Sequence, residues 1–291
     1  MADSPTTAAV AARPSLLPAM AWMSGALVSF VGMGVAGREL AVELAPHHAS
    51  FYRSAICLLI LLPFVWRGGW AAMRTRIPVK HVVRNSVHYG AQWCWLFGVG
   101  VLPLTEVFAI EFTAPIWTAL IAAAFLSERL TGSRLTAIGL GFAGVMVMLR
   151  PGLAVIDPAS FVVLAAAFGY AVAYVLTRRM MATESALTLI WWMSLVQLPW
   201  GAALSIGDFV VPSPDLYPWV ALIGLSGLTS HYCVGRALIL ADATVVVPLD
   251  FLRLPLIALV AWLLYNEAVD PFVAVGAALV LAANWINLRS G

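Results

Sequence analysis

Apolar residues run in long unbroken stretches along this chain, and polar residues gather at Pro- and Gly-marked breaks between them. A bilayer core of about 30 Å needs roughly 20 consecutive apolar residues per helix. On that measure the pattern predicts ten spans, at 16–36, 48–66, 81–101, 104–126, 132–149, 158–177, 185–206, 216–238, 242–265 and 270–288. The short alternation that marks membrane β-strands is absent. The stretch from Leu16 is longer than the apolar region of a signal peptide, and Arg13 is the only basic residue before it. It therefore reads as an uncleaved first span. Residues 1–15, rich in Ala, Thr, Ser and Pro, read as a disordered cytoplasmic N-terminus.

Composition strengthens this picture. Of 291 residues, 62% are hydrophobic and 10% charged, and mean hydropathy is +0.94. Soluble domains carry about 25% charged residues, because their exterior needs polar cover. The fold class expected is an all-α polytopic membrane protein. No basic run points to nucleic acid. Cys57, Cys94 and Cys233 lie inside apolar stretches without CxxC spacing, so no disulfide framework or zinc site is expected. No cofactor motif is present, and no P-loop.

Charge sets the orientation. With a cytoplasmic N-terminus, one side carries Arg13, Arg67, Arg74, Arg76, Lys80, Arg129, Arg134, Arg178, Arg179 and Arg289. The other side carries Arg38 and Arg150, with Asp157, Asp208, Asp215, Glu267 and Asp270. The positive-inside rule then puts both termini in the cytoplasm. Compact loops suggest a bacterial inner membrane.

The chain also resembles itself. At an offset of 139, Cys94 matches Cys233, Thr105 matches Thr244, and Glu111-Phe112 matches Asp250-Phe251. Glu128 matches Glu267, and Leu149-Arg150 matches Leu288-Arg289. At an offset of 140, Pro18-Ala19 matches Pro158-Ala159, and Arg38 matches Arg178. Two halves of five spans are expected, at 16–150 and 155–289. Five is odd, so the second half must insert upside down relative to the first. Inverted repeats are typical of secondary transporters, with substrate bound near the midplane between the halves.

The segment Glu111-Phe-Thr-Ala-Pro-Ile, then Ser127-Glu128-Arg129-Leu130, then Gly139-Leu-Gly-Phe-Ala-Gly144 and Leu149-Arg150-Pro151-Gly152, resembles the EamA family of the drug/metabolite transporter superfamily. The second half departs from the family pattern at Tyr265-Asn266-Glu267, and its Pro255 stands one place late. The resemblance implies ten spans in two inverted halves and a carrier of small metabolites. It also implies a central cavity lined mainly by spans one, three, four, six, eight and nine.

Ionisable groups at membrane depth are costly and normally face a cavity or one another. Glu111, in span four, can accept a proton, pair with arginine or hold a substrate amine. Asp250 is its repeat partner, with Arg253 one helical turn on. Arg253 and Arg53 can each grip a carboxylate or phosphate through a bidentate fork. Arg53 is close enough to a span end to snorkel to the headgroups instead. His88, Gln92 and Trp95 share one helix face, and His231 matches Gln92 in the repeat. Tyr170 and Tyr174 stand four apart on span six, suited to an aromatic-lined pocket for a flat, amphipathic or cationic substrate. For each of these the alternative is a structural contact: an ion pair, an interhelical hydrogen bond or aromatic packing. Gly139, Gly141, Gly144 and Gly276 read as close-approach positions. Pro115, Pro248 and Pro255 read as bends.

The function expected is alternating-access transport of a small polar metabolite such as an amino acid or organic anion, by export or exchange, with proton coupling open. Membrane lipid and the substrate are the expected partners, with a monomer or homodimer as the unit. No catalytic or metal-ligating residue is assigned. The competing reading is an integral-membrane enzyme acting on lipid or acyl substrates, which scattered mid-depth polar groups fit poorly.

Overall fold

The computed structural model describes residues 16–126, 131–150, 157–181, 183–241, 246, 249–268 and 270–289. The segment 1–15, and Glu128, Arg129, Thr244 and Pro248 of the repeat and bend assignments, lie outside the described residues.

Among the described residues eleven α-helices are delimited, and no strand occurs. They are α1 (Leu16–Leu40), α2 (Pro46–Gly68), α3 (Pro78–Val101), α4 (Leu104–Glu111), α5 (Ala114–Leu126), α6 (Gly132–Leu149), α7 (Pro158–Met180), α8 (Ala186–Leu204), α9 (Tyr217–Leu240), α10 (Arg253–Tyr265) and α11 (Pro271–Arg289). Helix starts follow local chemistry. Pro opens α2, α3, α7 and α11, where its missing N–H costs nothing. Asp157 caps α7 by accepting from the Ala159 N–H at 2.9 Å, and Ser185 caps α8 through Thr188. Among the described residues six helical segments are long and apolar enough to cross a bilayer, by length and composition: α1, α2, the α4–α5 stretch, α7, α8 and α11.

Most helices match an expected span to within a few residues; α10 covers only Arg253–Tyr265 of span nine, expected at 242–265, and span four divides into α4 and α5. The cause is Pro115, which lacks an N–H for the residue-111 carbonyl and crowds it. The polar groups at the break find partners within span four and on α11. Thr113 Oγ1 donates to the Ile110 carbonyl at 2.7 Å, and Asn284 Nδ2 of α11 donates to the Phe112 carbonyl at 2.8 Å. Span nine interrupts at the equivalent place, with turns at Phe251 and Leu252 before α10. Its Pro255 stands four residues after Phe251, again removing a helix hydrogen bond.

The main packing runs between the two halves of the chain. Helix α1 packs on α9, α3 on α7, α2 on α8 and α6 on α11. The α6–α11 contact is backbone to backbone. A Cβ at Gly144 would lie 2.7 Å from the Gly276 carbonyl oxygen, and one at Gly276 would lie 2.6 Å from that of Gly144. Small residues permit this approach. Gly139, expected to act likewise, faces open space instead, because it points away from both neighbours.

Candidate functional site

A cavity of about 1050 Å³ enters the bundle from the helix ends near Thr131, Arg178 and Leu288 and reaches inward to Phe30, Glu111 and Arg253. Its walls come from α1, α3, α4, α5, α7, α9 and α10, as the resemblance implies, with α8 and α11 added.

The two helix interruptions build its inner end. Glu111 ends α4 and Arg253 opens α10, so each side chain sits at a break and faces the other. The Arg253 guanidinium is 3.1 Å from Glu111 Oε1 and 3.5 Å from Asp250 Oδ2. Trp95 Nε1 donates to Glu111 Oε2 at 2.8 Å, fixing the carboxylate from behind. Phe30, Phe112 and Phe108 surround the guanidinium at 4.5, 4.7 and 5.4 Å, a cation–π cage in a water-poor setting. Two carboxylates face one guanidinium, so the fully ionised cluster carries one net negative charge. Asp250 Oδ1 and Arg253 Nε are buried without a hydrogen-bond partner among the described residues. Such groups are costly to leave unmet, and both residues line the cavity.

The other sequence-derived candidates divide between this cavity and a polar cluster behind it. Tyr174 and His231 line the cavity. Tyr170 is buried beside His88, their rings 5.2 Å apart, and His88 lies 5.9 Å from His231. His88 Nδ1 is 2.9 Å from Gln197 Nε2, and Gln197 Oε1 accepts from Arg53. Arg53 is 1% exposed and packs against Gly227. It therefore does not snorkel: the α8 amide holds it within the bundle, and its Nε has no hydrogen-bond partner among the described residues. Gln92 makes a long contact of 3.5 Å to Ser50 Oγ. Arg53, His88, Gln92, Trp95 and Tyr170 thus support the wall from outside the cavity lining.

Sequence reasoning misses Arg84, Asn85 and Gln197. Arg84 lines the cavity, donates to Thr177 Oγ1 at 2.8 Å and to Asn85 Oδ1 at 2.7 Å. The available signal was its position four residues before His88, on the same helix face.

The opposite end is shut. Arg38 reaches from α1 to Glu267 at 3.1 Å and also donates to the Val99 and Leu102 carbonyls. Glu267 Oε2 accepts from the Leu104 N–H at 2.9 Å. Tyr265 donates to Glu39 at 2.8 Å, and Arg150 pairs with Asp270 at 2.6 Å.

A helical bundle of apolar spans with a charged, aromatic-caged cluster at the head of a one-sided cavity defines a polytopic membrane transporter. The chain belongs to the EamA-like transporter family, whose model matches residues 17–150 and again 158–289. It is similar to a riboflavin transporter of Rhizobium johnstonii, 32% identical over 273 residues that cover 92% of this chain and 90% of that protein. It is also similar to an S-adenosylmethionine uptake transporter of Rickettsia prowazekii, 25% identical over 279 residues, 96% of this chain and 95% of that one. A solved crystal structure superposes with a TM-score of 0.66 at 17% identity, covering 94% of this chain and 96% of its own; this likeness shows the fold alone. The chain is a small-metabolite transporter and not a membrane enzyme.

Proposed function

We propose that the protein is a secondary carrier working by alternating access, with two inverted five-helix repeats at 16–150 and 155–289. Its substrate is a flat heteroaromatic metabolite bearing a polar or charged group. One observation carries this reading: the Glu111–Arg253–Asp250 cluster, with its unmet Asp250 and Arg253 atoms, ends a large cavity walled by aromatic rings. Phenyl and phenol faces suit a planar ring, and the cluster suits a hydrogen-bonding or ionic group. The names of the riboflavin and S-adenosylmethionine transporters fit the same substrate chemistry.

The pairing of helices supports the repeat. If the five spans of one half map in order onto those of the other, then α1–α9 and α3–α7 become images of each other, while α2–α8 and α6–α11 pair across the axis. Exchange of shapes between inverted halves opens the site to alternate sides. The cavity mouth lies at the end that the basic-residue bias assigns to the cytoplasm of a bacterial inner membrane. Arg38 and Glu267 hold the other end closed. At the offset of 140 Arg38 corresponds to Arg178, which lines the cavity, and at the offset of 139 Glu267 corresponds to Glu128. A proton or a cationic substrate would neutralise the cluster's net charge, which is a route to coupling.

Flux into proteoliposomes tests this. Riboflavin, S-adenosylmethionine, a neutral amino acid and a dicarboxylate are supplied in turn, with and without a proton gradient. Flux of a heteroaromatic compound, lost in Glu111→Gln and Arg253→Gln, is expected. Flux confined to amino acids or organic anions overturns the substrate class. Undiminished flux in both variants overturns the site.

A further inference from the structure

We propose that His47, His48 and Asp208 form a binding site for a divalent transition-metal ion of the zinc class, at the closed end of the molecule. The two histidines stand in the first turn of α2, and Asp208 lies in the connection between α8 and α9. His47 Nε2 is 3.4 Å from one Asp208 carboxylate oxygen. His48 Nε2 is 3.7 Å from the other. One ligand atom from each residue lies within 4.8 Å of the rest. Tetrahedral zinc with bonds of about 2.0–2.1 Å spaces its ligand atoms about 3.3–3.4 Å apart. The observed separations approach that spacing and exceed the 2.7–3.2 Å of a hydrogen bond.

The second observation is the state of the imidazoles. His48 is 2% exposed, and apart from a contact with the Asp208 backbone its ring nitrogens have no hydrogen-bond partner among the described residues, nor does His47 Nε2. Burying such nitrogens with only these long contacts to Asp208 is costly, and a metal ion between them and Asp208 removes the cost. The surroundings hold the donors in place. The His47 and His48 rings lie 4.1 Å apart. Phe209, next to Asp208, packs on Phe51 and Tyr52, and Tyr52 Oη donates to the Val210 carbonyl at 2.8 Å. Asp208 is 59% exposed, so an ion can enter and keep a water ligand. Two imidazoles and one carboxylate favour zinc-like ions over magnesium or calcium. The ion would tie α2, in the first half of the chain, to the α8–α9 connection in the second.

Equilibrium dialysis of Zn²⁺ against tag-free, detergent-purified full-length protein tests this, with Co²⁺ absorption reporting coordination geometry. One Zn²⁺ per chain is expected, with affinity falling about 100-fold or more in His48→Gln and in Asp208→Asn. His47→Gln, at the more open edge, serves if either of those fails to fold. Zn²⁺ should raise the thermal midpoint of the wild type and leave that of the variants unchanged. Absence of saturable binding in the wild type overturns the site. So does binding that persists undiminished in the variants, or a six-coordinate Co²⁺ spectrum.

Discussion

Arg38 and Glu267 form a 3.1 Å ion pair across the two halves of the chain, and each also anchors the turn between α3 and α4. Arg38 binds carbonyls at Val99 and Leu102, while Glu267 takes the Leu104 N–H. Three segments distant in sequence therefore meet through two side chains. Their exposures of 22% and 16% place the pair between a surface ion pair and a buried one.

That arrangement predicts measurable coupling. Arg38→Gln and Glu267→Gln should each lower the thermal midpoint in detergent. A double-mutant cycle should give an interaction energy of about 1 kcal/mol or more, in the range for residues sharing a hydrogen-bond network. Additivity within about 0.3 kcal/mol would mean that the pair holds nothing together.

Trp95 should matter without touching substrate. Its indole N–H donates to Glu111 inside the bundle, and a hydrogen bond to a charged group contributes about 1.5–3 kcal/mol. Trp95→Phe keeps most of the packing against Phe108 but leaves one carboxylate oxygen free to move. Flux should drop about tenfold while the elution profile in detergent stays monodisperse. A Phe variant with full flux would show that Arg253 alone positions the acid.

Acid should loosen the loops of the closed end. Ser213 donates to Glu43 from its N–H at 3.0 Å and its hydroxyl at 2.7 Å, holding that carboxyl below its ordinary value. The Phe272 N–H, then Arg150, do the same for Asp270. A depressed carboxylate stabilises the fold fully above its unfolded-state pKa, and the effect disappears as pH falls through the folded value. The thermal midpoint should therefore drop as pH goes from about 5 towards 3. The drop should shrink in the Glu43→Gln/Asp270→Asn double variant. An equal drop in that variant would assign the acid sensitivity elsewhere.

Much of this was legible in the chain beforehand. Span positions follow from apolar run length, because lipid forces helices to satisfy their own backbone. Glu111, Asp250 and Arg253 stood out because charge at that depth needs a reason. The break at Phe112 was legible only as a proline, since the rescue by Asn284 comes from a helix 172 residues away. From the sequence Arg53 reads as a span-end residue, because nothing local reveals Gln197, which lies 144 residues further on. His47, His48 and Asp208 cannot be read as a set for the same reason: the aspartate joins the histidines only through the packing of α2 against α8 and α9. Long-range polar partners are where single-chain periodicity carries no information.

The α6–α11 contact gives the sharpest test of packing. A methyl group at Gly276 would meet the Gly144 carbonyl oxygen at 2.6 Å and Met148 Cγ at 2.5 Å. The Gly144 carbonyl and the Met148 backbone N, at 3.2 Å, are main-chain atoms that can yield only if the helices separate. Overpacking of this kind costs about 1–3 kcal/mol. Gly276→Ala should therefore lower the thermal midpoint, and Gly144→Ala should behave alike, because its Cβ would lie 2.7 Å from the Gly276 carbonyl. Gly139→Ala on the same helix meets open space, so the better helix propensity of alanine should leave stability unchanged or raise it by up to about 1 kcal/mol. Equal effects at Gly139 and Gly144, measured by thermal unfolding in one detergent, would mean that α6 and α11 do not meet through these two glycines.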